Sequence, residues 1–276
     1  MSLPPRPPSL PDGFRTRYAP SPTGYLHLGH VRNAAWTWNV SRTWNGRVIL
    51  RIEDHDSTRC REEYASALLE DLDWLGFVAD EVAPRQSERY ARYEDVLAQL
   101  RDRGLAYVCA CSRKDIAEAA GDVFNAETPY PGTCRELDLE PAPGRGWRVV
   151  MEQGRETFTD LLLGEQVQDP SRQCGDLLVR DRLDNWTYQF AVTVDDMDQG
   201  IDLVIRGEDL LSSTGRQLRL ARMLGRTAMP LFLHHPLIMK PSGEKLSKAS
   251  GDTGVREMRA AGVGAEEVVN AASCEL

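Results

Sequence analysis

The run PSPTGYLHLGH, residues 20–30, restricts the possible folds of this chain more than any other stretch. Its prolines fix φ, its glycines carry no side chain, and it joins FRTRYA (14–19), which alternates like a short strand, to VRNAAWTWNV (31–40), which reads as helical. A strand that turns through glycines into a helix is the building unit of parallel α/β sheets, and ligands bind at such turns. Gly24 and Gly29 allow a nucleotide close to the backbone. A helix beginning near His30 would aim N–H groups and a positive dipole end at a phosphate, to which His27 and His30 can donate hydrogen bonds. Taken alone, H-x-G-H is more simply a proline turn carrying two surface histidines.

Strand and helix textures alternate along the rest of the chain. RVILRIED (47–54) is an apolar run ending in charge, expected to be a buried strand with an exposed carboxyl end. After residue 57, Ala65, Leu68, Leu69, Leu72 and Leu75 fall on one helical stripe that Gly76 stops. A second helix is expected from an N-cap at Ser87, with Tyr90, Tyr93, Leu97 and Leu100 on one face and Gly104 at its end. LAYVCAC (105–111) reads as a strand, and Ser112 with Asp115 has capping-box spacing. From 105 to 185 the strands shorten (WRVVM, TFTDLLL, DLLVRD) between segments rich in Pro, Gly and charge, so this stretch is expected to be an inserted smaller α+β domain. TYQFAVTVDD (187–196) and IDLVIRGEDL (201–210) then resume a buried-strand texture. A helix over 212–224, with Leu218, Ala221 and Leu224 on one side, and the strand LFLHHPLIM (231–239) follow. The fold class is therefore α/β, a doubly wound Rossmann-type parallel sheet split by an insertion.

Composition narrows the function classes. A chain of 276 residues can bury a large core and form more than one compact unit, and 41% apolar with 27% charged residues is ordinary for a soluble protein. No apolar run approaches the roughly 20 residues of a membrane helix, and MSLPPRPPSLPD (1–12) has no apolar h-region, so no membrane association and a cytoplasmic location are expected. Residues 1–13 are read as a disordered proline-rich lead-in. The net charge of −9 argues against a phosphate-coated partner, yet arginines cluster at 101–104, 144–148, 180–182 and 215–222, which keeps RNA open. Six cysteines make no disulfide scaffold, and Cys60, Cys174 and Cys274 read as reduced thiols. Cys109, Cys111 and Cys134 are spaced as a metal site or as buried thiols. Tetrahedral zinc needs a fourth ligand, no histidine is near, and Glu136 and Asp138 are candidates.

Three further elements carry charge that suits a nucleotide and an amino acid. KLSK (245–248), flanked by small residues, suits a loop whose lysines spread negative charge on a polyphosphate. In RIED (51–54), Glu53 and Asp54 can hold an ammonium group, and in IRGEDL (205–210) Arg206 can hold a carboxylate. Each alone is more simply a solvated loop or surface ion pair.

In order, RYAPSPTGYLHLGH, RIED, TVDD, IRGEDL and KLSK resemble the motifs of class I aminoacyl-tRNA synthetases, specifically the glutamyl branch, over about residues 14–250. The resemblance implies a Rossmann catalytic domain in two halves, 14–104 and 186–250, the second with the KLSK loop. The 105–185 insert would then resemble an acceptor-binding domain, and 251–276 a short helical remnant. It implies that Arg17, Tyr18, Ala19, Pro20, Ser21, Glu53, Tyr188 and Arg206 form a glutamate pocket, with Glu53 at the α-amino group. His27, Gly29, His30 and Lys248 would bind ATP. His27, His30, Lys245 and Lys248 would be the catalytic groups, with Mg2+ accompanying ATP. Attack of a carboxylate on the α-phosphorus needs no protein nucleophile, only alignment and a cationic shell.

Val192 stands where the branch usually has Asn, Ala249 where it usually has Arg, and the 28 residues after KLSK are too few for the anticodon-binding domain that the branch would lead one to expect. These departures resemble the short glutamyl-Q tRNA(Asp) synthetase family, which activates glutamate without tRNA and esterifies it to queuosine in the tRNA(Asp) anticodon stem-loop. A monomer is expected. In that family a tyrosine in Tyr-x-x-x-Cys resembles a fourth zinc ligand, and Tyr130 with Cys134 matches it, so Cys109, Cys111, Tyr130 and Cys134 would clamp one structural Zn2+. The catalytic core of an ordinary glutamyl-tRNA synthetase, another nucleotidyltransferase with an H-x-G-H turn and a non-catalytic RNA-binding paralogue are the alternative readings.

Overall fold

The structure is a computed structural model that describes residues 3–121, 128–238 and 254–273. β1 (Arg15–Tyr18) runs into the proline–glycine turn and then into α1 (Leu28–Trp44), which returns through left-handed Asn45 to β2 (Arg47–Leu50). β1 and β2 pair in parallel, as strands joined by a crossover helix must. α1 is buried on two sides: Val31, Ala34, Ala35 and Trp38 join one apolar cluster, while Trp36, Val40 and Trp44 join another. α2 (Glu62–Trp74) buries Ala65, Leu68 and Leu72 and leads to the short β3 (Glu81–Val82), which pairs with β2. Leu69, expected on the buried stripe, is exposed, because the packed face is only as wide as the contact with the sheet.

Beyond β3 a single 3₁₀ turn, Gln86–Arg89, precedes α3 (Tyr90–Asp102). Ser87 is therefore not the cap of α3; its N–H and hydroxyl both donate to the Asp54 carboxylate, at 2.8 Å each. β4 (Ala106–Cys109) and α4 (Arg113–Ala120) follow, the latter with the Ser112–Asp115 capping box. β5 (Gly146–Val149) lies antiparallel between β4 and β8 (Leu177–Arg180).

The hairpin of β6 (Glu156–Asp160) and β7 (Gly164–Gln168) behaves differently from its surroundings. Its sequence places it within the insert, but β6 pairs in parallel with β10 (Leu231–His235), on the edge of the main sheet. The short α5 (Pro170–Gln173) leads on to β8. α6 (Tyr188–Asp198) is a helix where a buried strand was expected. Both of its sides are covered, so its apolar run lacks the polar face that marks a surface helix. β9 (Leu203–Gly207), α7 (Thr214–Met223) and β10 complete the second half. β9 lies beside β1, where the Asp202 N–H donates to Arg15 O at 2.9 Å, so the parallel β1–β2–β3 sheet and the mixed β7–β6–β10–β9 sheet meet edge to edge as the two halves of a split α/β sheet.

α8 (Val255–Ala260) and α9 (Ala265–Ser273) cover α1, and Arg32 Nε donates to Ala272 O at 2.8 Å. The proline-rich lead-in, expected to be disordered, instead seats Leu10 beside Phe14, Trp36 and Val40, and Arg6 donates to Leu10 O at 3.0 Å. Apolar surface available at Leu10 outweighs the extended preference of its prolines. Among the described residues no helix is long and apolar enough to cross a membrane.

Gly175 positions the loop of residues 128–134. It sits at φ +60° and bridges Tyr130, and a Cβ there would lie 1.9 Å from the Tyr130 carbonyl oxygen. Gly175→Ala should cost about 2 kcal/mol or more and lower the melting temperature by about 5 °C. Gly76→Ala has similar strain at φ +76° but open space around it, and should cost less. Equal losses in thermal melts would show that contact with Tyr130 does not matter.

Candidate functional site

His27 and His30 do more than sit on the turn. His27 is the N-cap of α1, and its Nδ1 accepts the Gly29 N–H at 3.0 Å. The His27 N–H in turn donates to His30 Nδ1 at 3.2 Å. A backbone N–H can only donate, so each Nδ1 is an acceptor and each neutral ring carries its proton on Nε2. The helix thus begins at Leu28, two residues before the expected start. Gly29 is required because a Cβ there would fall 2.8 Å from His27 Cε1. A cavity of about 370 Å³ is lined by Ser21, His27, Gly29, His30, Arg206 and Asp209, among others. It therefore joins the first and second halves of the sheet.

KLSK, with Lys245 and Lys248, lies outside the described residues. The described residues on either side both reach the turn: Ile238 lines the same cavity, and Gly254 bridges His27.

Beneath the turn lies a buried ionic network. Arg51 is fully buried, and its Nη2 donates to Glu53 Oε1 at 2.9 Å and to Asp196 Oδ1 at 2.8 Å. Arg17 Nε reaches Asp196 at 3.1 Å, and its Nη1 donates to Ile205 O at 3.3 Å. Burial alone would raise the Asp196 carboxyl, but Arg17 and Arg51 outweigh it and hold it below its ordinary value. Burial pushes the Glu53 carboxyl up against the pull of Arg51. RIED is thus not an exposed strand end: Arg51 and Glu53 are buried against each other, and β2 stops at Leu50. Asp195 closes the network, accepting from Tyr93 at 3.0 Å, Gln86 at 2.8 Å and Arg89 at 2.7 Å.

Arg206 differs from Arg17 and Arg51. Its Nη1 donates to Gln217 Oε1 at 2.8 Å and Tyr188 OH at 3.4 Å, its Nη2 to Thr214 Oγ1 at 2.8 Å, and its Nε to His234 Nε2 at 3.0 Å. It is 3% exposed, and among the described residues no carboxylate bonds to it directly; burial lowers its pKa. A guanidinium desolvated without a bound anion is a receptor for one.

The other expected pocket residues divide. Ser21 Oγ donates to Glu53 O at 2.7 Å and Pro20 O accepts the Glu53 N–H at 3.0 Å, which fixes the turn to RIED. Ala19 is half-buried beside them. Tyr18 faces the core, packing on Trp38 and donating to His30 O at 3.2 Å, so it braces the helix rather than lining the pocket. Arg51, Asp196 and Gln86 escaped the sequence reading as network members. Arg51 stands inside RIED and Asp196 inside TVDD, but their pairing spans more than a hundred residues.

Cys109, Cys111 and Cys134 converge, their sulfurs all within 4.8 Å of one another. Tyr130 OH lies 3.4 Å from Cys109 Sγ and 3.6 Å from Cys111 Sγ, and it accepts the Cys134 N–H at 2.9 Å. Tetrahedral zinc at about 2.3 Å from sulfur and about 2.0 Å from oxygen sets S···S edges of about 3.8 Å and S···O edges of about 3.5 Å. The Tyr130 distances straddle the second value, and Cys111–Cys134, at 3.4 Å, is slightly tighter than the first. The donor set fits the ion. Arg148 supplies a counter-charge: its Nε donates to Cys109 Sγ at 3.3 Å and its guanidinium lies 3.7 Å over the Tyr130 ring. Burial pushes the Cys111 thiol up to about 11 when no cation is present.

Comparisons with known proteins agree with this geometry. A family model described as tRNA synthetases class I (E and Q), catalytic domain, matches residues 13–273. A protein of Burkholderia mallei named glutamyl-Q tRNA(Asp) synthetase is 42% identical over 243 residues, 86% of this chain and 81% of that protein. Its namesake from Bordetella bronchiseptica is 44% identical over 85% of this chain and 75% of its own length. Glutamate–tRNA ligase 1 of Alkalilimnicola ehrlichii is 40% identical over 93% of this chain but only 55% of its own length. A crystal structure of a glutamate tRNA ligase from Elizabethkingia meningosepticum in complex with its amino acid superposes with a TM-score of 0.74 at 32% identity, covering 87% of this chain. This chain spans about half of that ligase, 53%.

Replacing Arg51 by Met removes one partner of a buried network and strands the Glu53 and Asp196 carboxylates. A loss of about 3–5 kcal/mol is expected in urea unfolding. A loss below about 1 kcal/mol would show that the network does not hold the halves together.

Proposed function

The chain belongs to the class I (E and Q) tRNA synthetase family, and we propose that it activates L-glutamate with ATP in the absence of RNA and then passes the glutamyl group to queuosine in the anticodon of tRNA(Asp). It is a ligase of the aminoacyl-tRNA synthetase class. The observation that carries the substrate reading is Arg206, a buried cation with no carboxylate bonded to it among the described residues, which lines the same cavity as His27 and His30.

The α-carboxylate of the amino acid must stay free to react, so Arg206 with Tyr188 holds the side-chain carboxylate. Arg17 is already satisfied by Asp196. Arg51 engages Oε1 of Glu53, leaving the other carboxyl oxygen for the α-ammonium group. An α-carboxylate oxygen forms a bond to the α-phosphorus of ATP as the bond to the bridging oxygen breaks, and pyrophosphate leaves. The Nε2–H groups of His27 and His30 hydrogen-bond to phosphate oxygens and share their growing charge, with Lys248 as a further cation and Mg2+ accompanying ATP. A queuosine hydroxyl then attacks the acyl carbon, AMP departs, and the hydroxyl proton is released. Cys109, Cys111, Tyr130 and Cys134 would hold one Zn2+, which would supply a structural clamp between the 128–134 loop and β4 rather than activate water.

A second reading, the catalytic part of a glutamate–tRNA ligase acting on tRNA(Glu), draws on the relative from Alkalilimnicola ehrlichii. Glutamate-dependent ATP–pyrophosphate exchange separates the two. Exchange without RNA is expected, and exchange that appears only with tRNA(Glu) would replace the first reading by the second. His27→Asn keeps an N-cap but loses the imidazole donor, and should slow exchange about 10²-fold with little change in melting temperature. Protein purified without added metal should contain about one equivalent of zinc by elemental analysis. A zinc content near zero would leave the cluster as buried thiols around a core tyrosine.

A further inference from the structure

Arg206 is held by a relay of buried side chains, His234 and Asp160. His234, on β10, is the register partner of Arg206 on β9, so their side chains share one face of the parallel sheet. His234 is fully buried, and its Nε2 lies 3.0 Å from Arg206 Nε. A guanidinium only donates, so Nε2 is an acceptor and the ring proton sits on Nδ1. Nδ1 lies 2.6 Å from Asp160 Oδ2. Asp160, at the end of β6, is itself locked: its Oδ1 accepts the N–H groups of Leu162 and Leu163 at 3.0 and 2.9 Å, and its Oδ2 also accepts the His234 N–H at 3.0 Å. Thr214 closes a small ring, accepting from Arg206 Nη2 at 2.8 Å with its Oγ1 3.3 Å from His234 Nε2.

We propose that Asp160 and His234 are positioning residues for the substrate carboxylate, setting the Arg206 guanidinium through its Nε and supplying negative charge at one remove. This inference rests on the reading of Arg206 as the glutamate-side-chain site. A carboxylate paired directly with Arg206 would occupy the edge that the substrate needs, as Asp196 occupies Arg17. With no anion nearby, the guanidinium would have been desolvated at full cost. The imidazole spacer avoids both: the buried charge of Asp160 offsets the cation, while Nη1 meets only the uncharged groups of Gln217 and Tyr188 among the described residues. The pairing of β6 with β10, which sets Asp160 opposite Phe232, is what places the Asp160 carboxylate at His234. His234 stacks on Phe232 at 6.0 Å, which fixes the ring plane.

The test compares His234→Phe with His234→Gln in the full chain. Phenylalanine keeps the stack but accepts nothing from Arg206. Glutamine can accept from Arg206 Nε and donate to Asp160. In pyrophosphate exchange, His234→Phe should raise the KM for glutamate at least tenfold while the KM for ATP stays within about twofold. His234→Gln should recover the glutamate KM to within about threefold of wild type. A purely structural role would instead lower the melting temperature and move both KM values together, and would overturn the proposal. An unchanged glutamate KM in folded His234→Phe would overturn it as well. If His234→Phe does not fold, nitrogen-15 spectra of the wild-type histidines decide: His234 must carry its proton on Nδ1, and its Nε2 resonance must move on adding glutamate but not ATP. An Nε2–H tautomer, or a resonance indifferent to glutamate, sinks the relay. Wild-type protein without any glutamate-dependent exchange would sink the glutamate reading itself, a result distinct from exchange with an unaltered KM in the variant.

Discussion

The interaction on which the rest of the structure depends is the pairing of Arg51 with Glu53 and Asp196 in a site closed to water. It ties the turn after β2 to α6, and Arg17 extends it to β1. Three segments far apart in sequence are thereby held at one depth. A buried pair of this kind adds little net stability over an apolar substitute, but it penalises any misplacement of a partner severely. That penalty turns a collection of strand ends into a pocket of defined geometry. It also neutralises Arg17 and Arg51 internally, while Arg206 faces the cavity with uncharged direct partners among the described residues.

The proline–glycine turn contributes by a different route. Its histidines serve the backbone through Nδ1, which sets the proton of each neutral ring on the opposite nitrogen. Helix capping therefore also sets the donor that the proposed reaction would use: the bond that starts α1 selects the tautomer with its proton on Nε2. The ends of the segment containing KLSK meet this same turn, at Ile238 and Gly254. The cysteine–tyrosine cage is independent of the pocket and is built by β4, the 128–134 loop and the bridge at Gly175.

Much of the fold could be read from one-dimensional pattern. The strand–turn–helix at 15–44, the capping box at Ser112 and the glycine stops at Gly76 and Gly104 rest on local sterics and local hydrogen bonds, which sequence encodes directly. The misreadings share one cause. α6 reads as a strand because neighbours cover both its faces, so it has no polar stripe. β6 and β7 read as part of the insert because nothing in TFTDLLL announces its partner on β10. Leu10 reads as floppy because its burial is provided by Phe14, Trp36 and Val40, none adjacent in sequence. In each case tertiary contact overrode a local preference.

The sequence by itself determined the α/β class, the order of the motifs and the chemical types at the site: imidazoles on a glycine turn, carboxylates after a strand, a cysteine trio. Those follow from backbone sterics and from side-chain chemistry, neither of which needs a partner. Only the tertiary structure decided which charges cancel. Arg17 and Arg206 are equivalent cations on paper, yet one is bonded to Asp196 and the other reaches Asp160 only through His234. The reason is physical: the strength of a buried charge depends on desolvation and on the distance to its counter-charge, and both are set by packing between residues that the chain order keeps far apart.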